Sequence, residues 1–314
     1  MVDVLTLGEA MAALRPRGPV RAGATVDLSV AGAESNVAIA LARLGHRARW
    51  VGVVGSDRLG ELVVQTLRAE GVDVSHIRTA AAPTGIVLFE TRLPGVTRVN
   101  YHRTGSAGSL LSTSDVLKAL TPLPRAVHVT GVTVAIGRGP AEAVSSVVER
   151  ARDLGALVCF DVNYRARLWS LAVARAALRP LIGYVDVVVG SPEEIALVAP
   201  TDASDAATQI NALLSAGPTE VVVKRGRAGA DVYTAAGPVH AEARPVIAVD
   251  PIGAGDAFTA GYLSGWLDGL PIPERLHRAV TLGAFAVSGT GDWESLPTRD
   301  ELPLLEEEEG KTLR

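Results

Sequence analysis

Over most of the 314 residues, short and almost wholly apolar runs alternate with segments whose apolar residues recur at helical spacing. The runs RARWVGVVG (47–55), RAVHVTG (125–131), ALVCFDV (156–162), YVDVVVG (184–190) and TEVVVKRG (219–226) show little polar alternation. Strands of that kind are buried on both faces, as in a parallel sheet covered by helices. The intervening segments predict amphipathic helices. In AESNVAIALARLG, Val37, Ala40, Leu41 and Leu44 share a face and Gly45 follows as a stop. RLGELVVQTLRAEG repeats the device before Gly71, and VSSVVERARDLG before Gly155. This alternation predicts an α/β fold, a three-layer α/β/α sandwich with a mostly parallel central sheet.

One region breaks the rhythm. TGIVLFETRLPGVTRVNYHR (84–103) has two extended stretches around Pro94-Gly95 and no helix-length segment, so it predicts a β-hairpin. With the extended ATVDLSV (24–30) it would form a small β-sheet lid, built from about 12–33 and 84–105, over a pocket in a single domain spanning 1–314. The acidic EEEE at 306–309 predicts a solvated tail within 303–314.

Composition narrows the function classes. A net charge of -4 offers no basic face for nucleic acid. Cys159 is the only cysteine, which excludes an internal disulfide and points to a reducing, cytoplasmic setting. No apolar run reaches the ~20 residues of a membrane span, and Asp3 and Glu9 stand where a signal peptide would be basic and then apolar. The six histidines are scattered without zinc-ligand spacing. The tripeptide GKT at 310–312 lacks the glycine, here Leu305, and the preceding strand of a nucleotide-binding loop.

The stretch DPIGAGDAF (250–258) carries the chemistry. VIAV (246–249) predicts a strand ended by Asp250 and Pro251, and GAGDAFTAGYLSGWLDG predicts a helix stopped at Gly269. Gly253, Ala254 and Gly255 then lie at a helix N-terminus, where unpartnered N–H groups favour an anion. A helix dipole supplies only ~0.3–1 kcal/mol, against the ~8 kcal/mol or more of a catalysed barrier. Asp256 is placed to take a proton from a hydroxyl attacking the bound group. Charge held by N–H donors, with a carboxylate for the nucleophile, is what phosphoryl transfer requires.

DPIGAGDAFTAGYL, together with GAESNVAIALARLG (32–45) and GVVGSDRLG (52–60), resembles the paired signatures of the ribokinase-type (PfkB) carbohydrate kinases, in the same order and over nearly the whole chain. The resemblance implies ATP and Mg²⁺ as cofactors and Asp256 as catalytic base. It places the 253–255 backbone at the transferred phosphoryl group and Gly32 and Asn36 at the sugar, and it leaves a monovalent cation open. Ala31-Gly32 stands where the family often has two glycines.

GSPEEIAL (190–197) reads locally as a capping box with proline at the first helical position. By resemblance it is also the segment that supports Mg²⁺, with Glu194 acting through water and Ser191 in place of an asparagine. KRGRAGADVY (224–233) resembles the strand and turn beside the nucleotide, which implies Lys224, Gly226 and Gly229 as nucleotide-binding residues.

NYHRTGSAGSLL (100–111) and DVNYRARLWS (161–170) resemble 2-keto-3-deoxygluconate kinases, and GDWESLPTRDEL (291–302) does so more weakly. A sugar-acid carboxylate is well met by guanidinium groups, which marks Arg103 and Arg165, with Tyr101 two residues from Arg103 on the same strand face. Val87 departs from the tyrosine expected in that subfamily. The expected reaction is ATP-dependent phosphorylation of 2-keto-3-deoxygluconate on its 6-hydroxyl. The alternatives are a fructokinase or ribokinase acting on a neutral sugar, and a non-catalytic sugar-binding module. The exposed edge of the lid predicts a homo-oligomer.

Overall fold

The computed structural model describes residues 2–93 and 96–306. The chain runs β1 (Val4–Leu7), β2 (Met11–Pro16), β3 (Val26–Ala31), α1 (Ala33–Arg43), β4 (Ala48–Val51), β5 (Val53–Gly55), α2 (Arg58–Ala69), β6 (Arg78–Ala80), β7 (Ile86–Leu93) and β8 (Val96–His102). It continues through α3 (Thr113–Ala119), β9 (Ala126–Thr130), α4 (Gly131–Ala135), α5 (Arg138–Asp153), β10 (Leu157–Asp161), α6 (Leu171–Leu178), β11 (Val187–Gly190), α7 (Pro192–Val198) and α8 (Ala206–Ala216). It ends with β12 (Glu220–Lys224), β13 (Ala230–Thr234), β14 (Gly237–Ala241), α9 (Ala254–Leu267) and α10 (Ile272–Ser288).

The central sheet has eight strands in the order β14-β13-β12-β11-β10-β9-β1-β4. The six strands from β4 to β12 in that order pair in parallel, and β13 and β14 extend the sheet antiparallel. Alternate side chains of each strand enter two separate apolar cores, because successive residues of a strand point to opposite faces. Cys159, Val187, Val189 and Val222 face α1, α9 and α10, whereas Phe160, Val188, Val221 and Val223 face α5, α6 and α8. This is the predicted three-layer α/β/α sandwich. Helix α9 is buried along most of its length, which explains why its sequence is apolar all round.

A separate four-stranded sheet has the order β3-β2-β7-β8. Its hairpin β7–β8 is antiparallel as expected, and its strands lie at the two stretches assigned to the lid, with β2 starting one residue earlier at Met11; Pro94 and Gly95 lie outside the described residues. The edge strand β3 exposes Val26 and Leu28.

Two strand expectations need correction. The run 47–55 is not one strand: Gly52 interrupts it, leaving β4 in the main sheet and β5 paired with β6. A Cβ at Gly52 would lie 2.1 Å from the Trp50 ring, so no side chain fits there. The segment 246–249 joins no ladder, since its neighbour is the end of α10: the N–H groups of Val249 and Asp250 donate to Val287 O at 2.7 and 3.3 Å. Asp250 therefore ends no strand. The expected tail from 303 begins within a 3₁₀ segment over Arg299–Glu306, and residues 307–314 lie outside the described ones.

Candidate active site

The carboxyl ends of the parallel strands open into a cavity of about 540 Å³ roofed by the small sheet. Ligands of open α/β sheets bind at that end of the strands.

On its floor lies the N-terminus of α9. Gly253 is the N-cap residue with φ +77°, a left-handed conformation that costs a side chain energy. A Cβ there would also lie 2.0 Å from Asp292 O. Both facts demand glycine. The turn brings the backbone of Gly253 and Gly255 to the cavity wall, and Asp256 follows in the first helical turn, 7% exposed. Asp256 Oδ2 accepts from Asn36 Nδ2 at 2.8 Å and Oδ1 from Asn163 Nδ2 at 3.3 Å. Burial pushes its pKa up to about 6, against the pull of the Asn36 hydrogen bond and the Arg165 charge. A carboxyl so poised can hold or release a proton near neutrality.

Lys224 ends β12 and points at the same turn. Its Nζ lies 3.0 and 2.9 Å from the two oxygens of the buried Asp161, and a Cβ on Gly255 would sit 3.4 Å from it. It is thus no solvent-facing lysine. Burial works against its charge, but Asp161, Glu194 and Asp256 outweigh that effect and raise its pKa. Thr259 Oγ1 donates to Asp161 Oδ2 at 2.9 Å, so Asp161 binds β10, β12 and α9 together.

The capping box at α7 is present. Glu194 reaches the cavity wall, with Oε2 accepting from Ser191 N at 2.8 Å and Oε1 from Tyr164 N at 2.7 Å. Among the described residues no cluster of three or more His, Cys, Asp or Glu side chains could hold a metal. One carboxylate still suits Mg²⁺, which keeps several waters and takes its remaining ligands from phosphate oxygens.

Arg103 follows the roof strand β8, and Arg165 lies in the loop after β10 of the main sheet; both line the cavity. Arg103 is largely buried, and its Nε donates to Glu9 Oε2 at 2.7 Å, while Ser106 Oγ donates to Glu9 Oε1. Arg165 is exposed, and among the described residues its one hydrogen bond is to Tyr164 O at 3.5 Å. Tyr101 lies opposite Val87 in the β7–β8 register, and both line the cavity. The place of the expected tyrosine is thus bordered by another tyrosine one strand away.

Of the residues marked in the sequence, Gly32, Asn36, Tyr101, Arg103, Arg165, Glu194, Lys224, Gly253, Gly255 and Asp256 converge on this cavity. Ala254, Ser191, Gly226 and Gly229 do not line it. Gly226 and Gly229 have φ of +56° and +80°, and a Cβ on Gly229 would lie 2.0 Å from Ala241 O; the turn between β12 and β13 accounts for both. Sequence reasoning passed over Glu9, Asn163, Arg167 and Asp292, which also line the cavity. Arg167 follows Arg165 at the alternate position, the one signal that could have marked it. Asn163 has φ +42°, a conformation asparagine tolerates better than most residues, but its meeting with Asp256 joins positions 93 apart.

The comparisons with known proteins agree with this geometry. The family model described as "pfkB family carbohydrate kinase" matches residues 1–299. A 2-dehydro-3-deoxygluconokinase of Thermoproteus tenax is 36% identical over 313 residues, covering 97% of this chain and 94% of the relative. That of Bacillus subtilis (strain 168) is 34% identical over 307 residues, covering 96% and 94%. A fructokinase of Klebsiella pneumoniae is 32% identical over 310 residues, covering 95% and 97%. Among solved structures, a PfkB protein from Polaromonas sp. JS666 superposes with a TM-score of 0.86 at 35% identity, covering 97% of this chain and 99% of that one. A putative ribokinase II from E. coli, in complex with ATP and Mg²⁺, does so with 0.89 at 26% identity, covering 98% and 99%. A signature turn at α9, a second signature at α1, a common fold and a match over almost the full length lead to one conclusion: the chain belongs to the pfkB family of carbohydrate kinases.

Proposed function

We propose that this kinase transfers the γ-phosphoryl group of ATP to the 6-hydroxyl of 2-keto-3-deoxygluconate. The observation that carries the reading is the buried Asp256 carboxylate, set in the first turn of α9 beside the Gly253 and Gly255 backbone in one cavity. Asp256 accepts the hydroxyl proton as the nucleophile attacks. The N–H groups of the 253–256 turn hold charge developing on the transferred group, and Lys224 adds a fixed positive charge beside them. Positioning and electrostatics of this kind supply most of the catalysis in phosphoryl transfer. Glu194 would hold Mg²⁺, which neutralises phosphate charge when bound. Gly32, Asn36 and Tyr101 contact the sugar, and Arg165 receives the carboxylate with a guanidinium that makes no ion pair with an acidic side chain among the described residues. Arg103, met by Glu9, is a weaker carboxylate partner and orients the wall instead. Ser191, Gly226 and Gly229 shape the nucleotide side through the α7 cap and the β12–β13 turn.

A neutral sugar as substrate draws support from the Arg103–Glu9 pair, which removes one free cation, and from the fructokinase relative. A coupled ADP-release assay across 2-keto-3-deoxygluconate, its galactonate epimer, fructose and ribose tests the reading. The highest kcat/KM is expected with a sugar acid. A preference for fructose would overturn the substrate, and no ADP release with any sugar would overturn the enzyme and leave a binding module. The apolar edge strand β3 is the proposed self-association surface, to be checked by light scattering of Leu28→Lys against the parent chain.

A further inference from the structure

Arg15, on β2, joins the roof to the catalytic turn. It lies near the end of β2, with its guanidinium 4.0 Å from the centroid of the Phe89 ring on β7. From there it crosses to the main body. Nη1 donates to Asp250 Oδ2 at 3.1 Å and Nη2 to Asp292 Oδ1 at 2.5 Å. The arginine is 18% exposed and each acid 9%, so water screens these pairs little.

Both acids lead to the reacting groups. Asp250 Oδ1 accepts from Ile252 N at 3.1 Å and so fixes the bend that enters Gly253. Asp292 closes the turn from the other side: its carbonyl oxygen blocks any side chain at Gly253. Its Oδ2 lies 3.5 Å from Asn36 Nδ2, the same nitrogen that donates to Asp256. One guanidinium therefore holds both ends of the turn and the neighbour of the base. A planar fork offers two carboxylates donors in fixed directions, where a lysine ammonium is a compact point charge on a flexible stem.

We propose that Arg15 is a positioning residue, a latch that couples seating of the small sheet to the conformation of the 250–256 turn. With the sheet seated, Arg15 spans Asp250 and Asp292 and the N–H groups of the turn face the cavity. With it displaced, two buried carboxylates lose their shared cation and the turn loosens. Burial pushes the Asp292 pKa up to about 7, and Arg15 is the main influence holding it down; without the arginine it rises further.

The role of the turn in phosphoryl transfer rests on the function proposed above, so the test reads structure and activity separately. Amide hydrogen exchange is measured on the free full-length chain and on Arg15→Met, Arg15→Lys and Asp250→Asn, alongside ADP release. Arg15→Met is expected to speed exchange of the 252–257 amides at least tenfold and to lower kcat at least tenfold, with the KM for ATP changing less than threefold. Arg15→Lys, which keeps the charge but not the fork, is expected to fall between. Asp250→Asn covers the case in which Arg15→Met fails to fold. Unchanged exchange at 252–257 in the folded variants overturns the latch, whether or not the chain is active. Faster exchange confined to those amides supports it even if no sugar is phosphorylated, an outcome that would sink only the proposed function. Loosening spread evenly over all strands would mean a general structural role and would also overturn the latch.

Discussion

The floor and the roof of the cavity are built on opposite plans. On the floor, Asp256 and Asp161 are buried, Asp161 is hydrogen-bonded to Lys224 and Thr259 and Asp256 to Asn36 and Asn163, and glycine is enforced at 253 by a carbonyl oxygen 2.0 Å from where a Cβ would be. On the roof side, Arg165 is exposed in the loop after β10, with a 3.5 Å contact to Tyr164 O, and the roof strands set Val87 opposite Tyr101. The floor has little freedom to vary, which suits a step common to every substrate. The roof packs in a small apolar cluster of its own, Met11, Ala13, Ala31, Val87 and Phe89, separate from the two main cores, so it can change without disturbing those, which suits the choice of sugar.

That contrast is broken most directly by Asp256→Asn. It keeps the shape and removes the base, so kcat is expected to fall on the order of a hundred- to ten-thousand-fold, while calorimetry still detects sugar binding. If sugar binding disappears as well, floor and roof are not separable. Next comes Arg165→Met, which should raise the KM for 2-keto-3-deoxygluconate about 10–100-fold, the worth of ~1.5–3 kcal/mol for a hydrogen bond to a charged group, with kcat nearly constant. Loss of kcat without a change in KM would move Arg165 from the roof's role to the floor's.

Acidity gives a graded version of the same contrast. Asp256 must be ionised to accept a proton, and its pKa is raised to about 6. Below that pH, kcat/KM is expected to fall tenfold per unit, a limb that Arg165→Met shifts upward because the Arg165 charge helps hold the pKa down. The stability sign is opposite. A carboxyl whose pKa is higher folded than unfolded costs stability when ionised, so this cost is present above about 6 and relieved as pH falls towards 3.8. Asp256→Asn should therefore raise the melting temperature more at pH 8 than at pH 5. The smallest effect belongs to Ser191→Ala, which removes a helix cap worth about 1 kcal/mol and should lower the melting temperature with less than a threefold change in the KM for ATP. A larger kinetic effect would make Ser191 a nucleotide contact and not only a cap.

The same division governs what could be read from the sequence. β9, β10, β11 and β12 were legible because a strand covered on both faces has a continuous apolar run, a purely local signal. The α9 turn was legible because helix starts are written in adjacent residues. β13 and β14 at the sheet edge lack a continuous apolar run and gave no such signal, and 246–249 misled because a strand needs a partner that its own residues cannot specify. Asp161, Asn163 and Asp292 acquire their roles only through contacts with positions 224, 256, 36 and 15. Nothing in their own neighbourhoods announces those meetings, and Arg103 looked free until Glu9 was seen beside it.

The carbonyl of Asp292 that locks Gly253 has a consequence for how the molecule comes into being. The turn is encoded 36 or more residues before the loop that braces it, and that loop lies beyond α10. A chain emerging from the ribosome has all the described strands, β1 to β14, before it has the residue that closes its reactive corner. A truncation between Ser288 and Asp292 would leave the sheets complete and the catalytic turn unbraced.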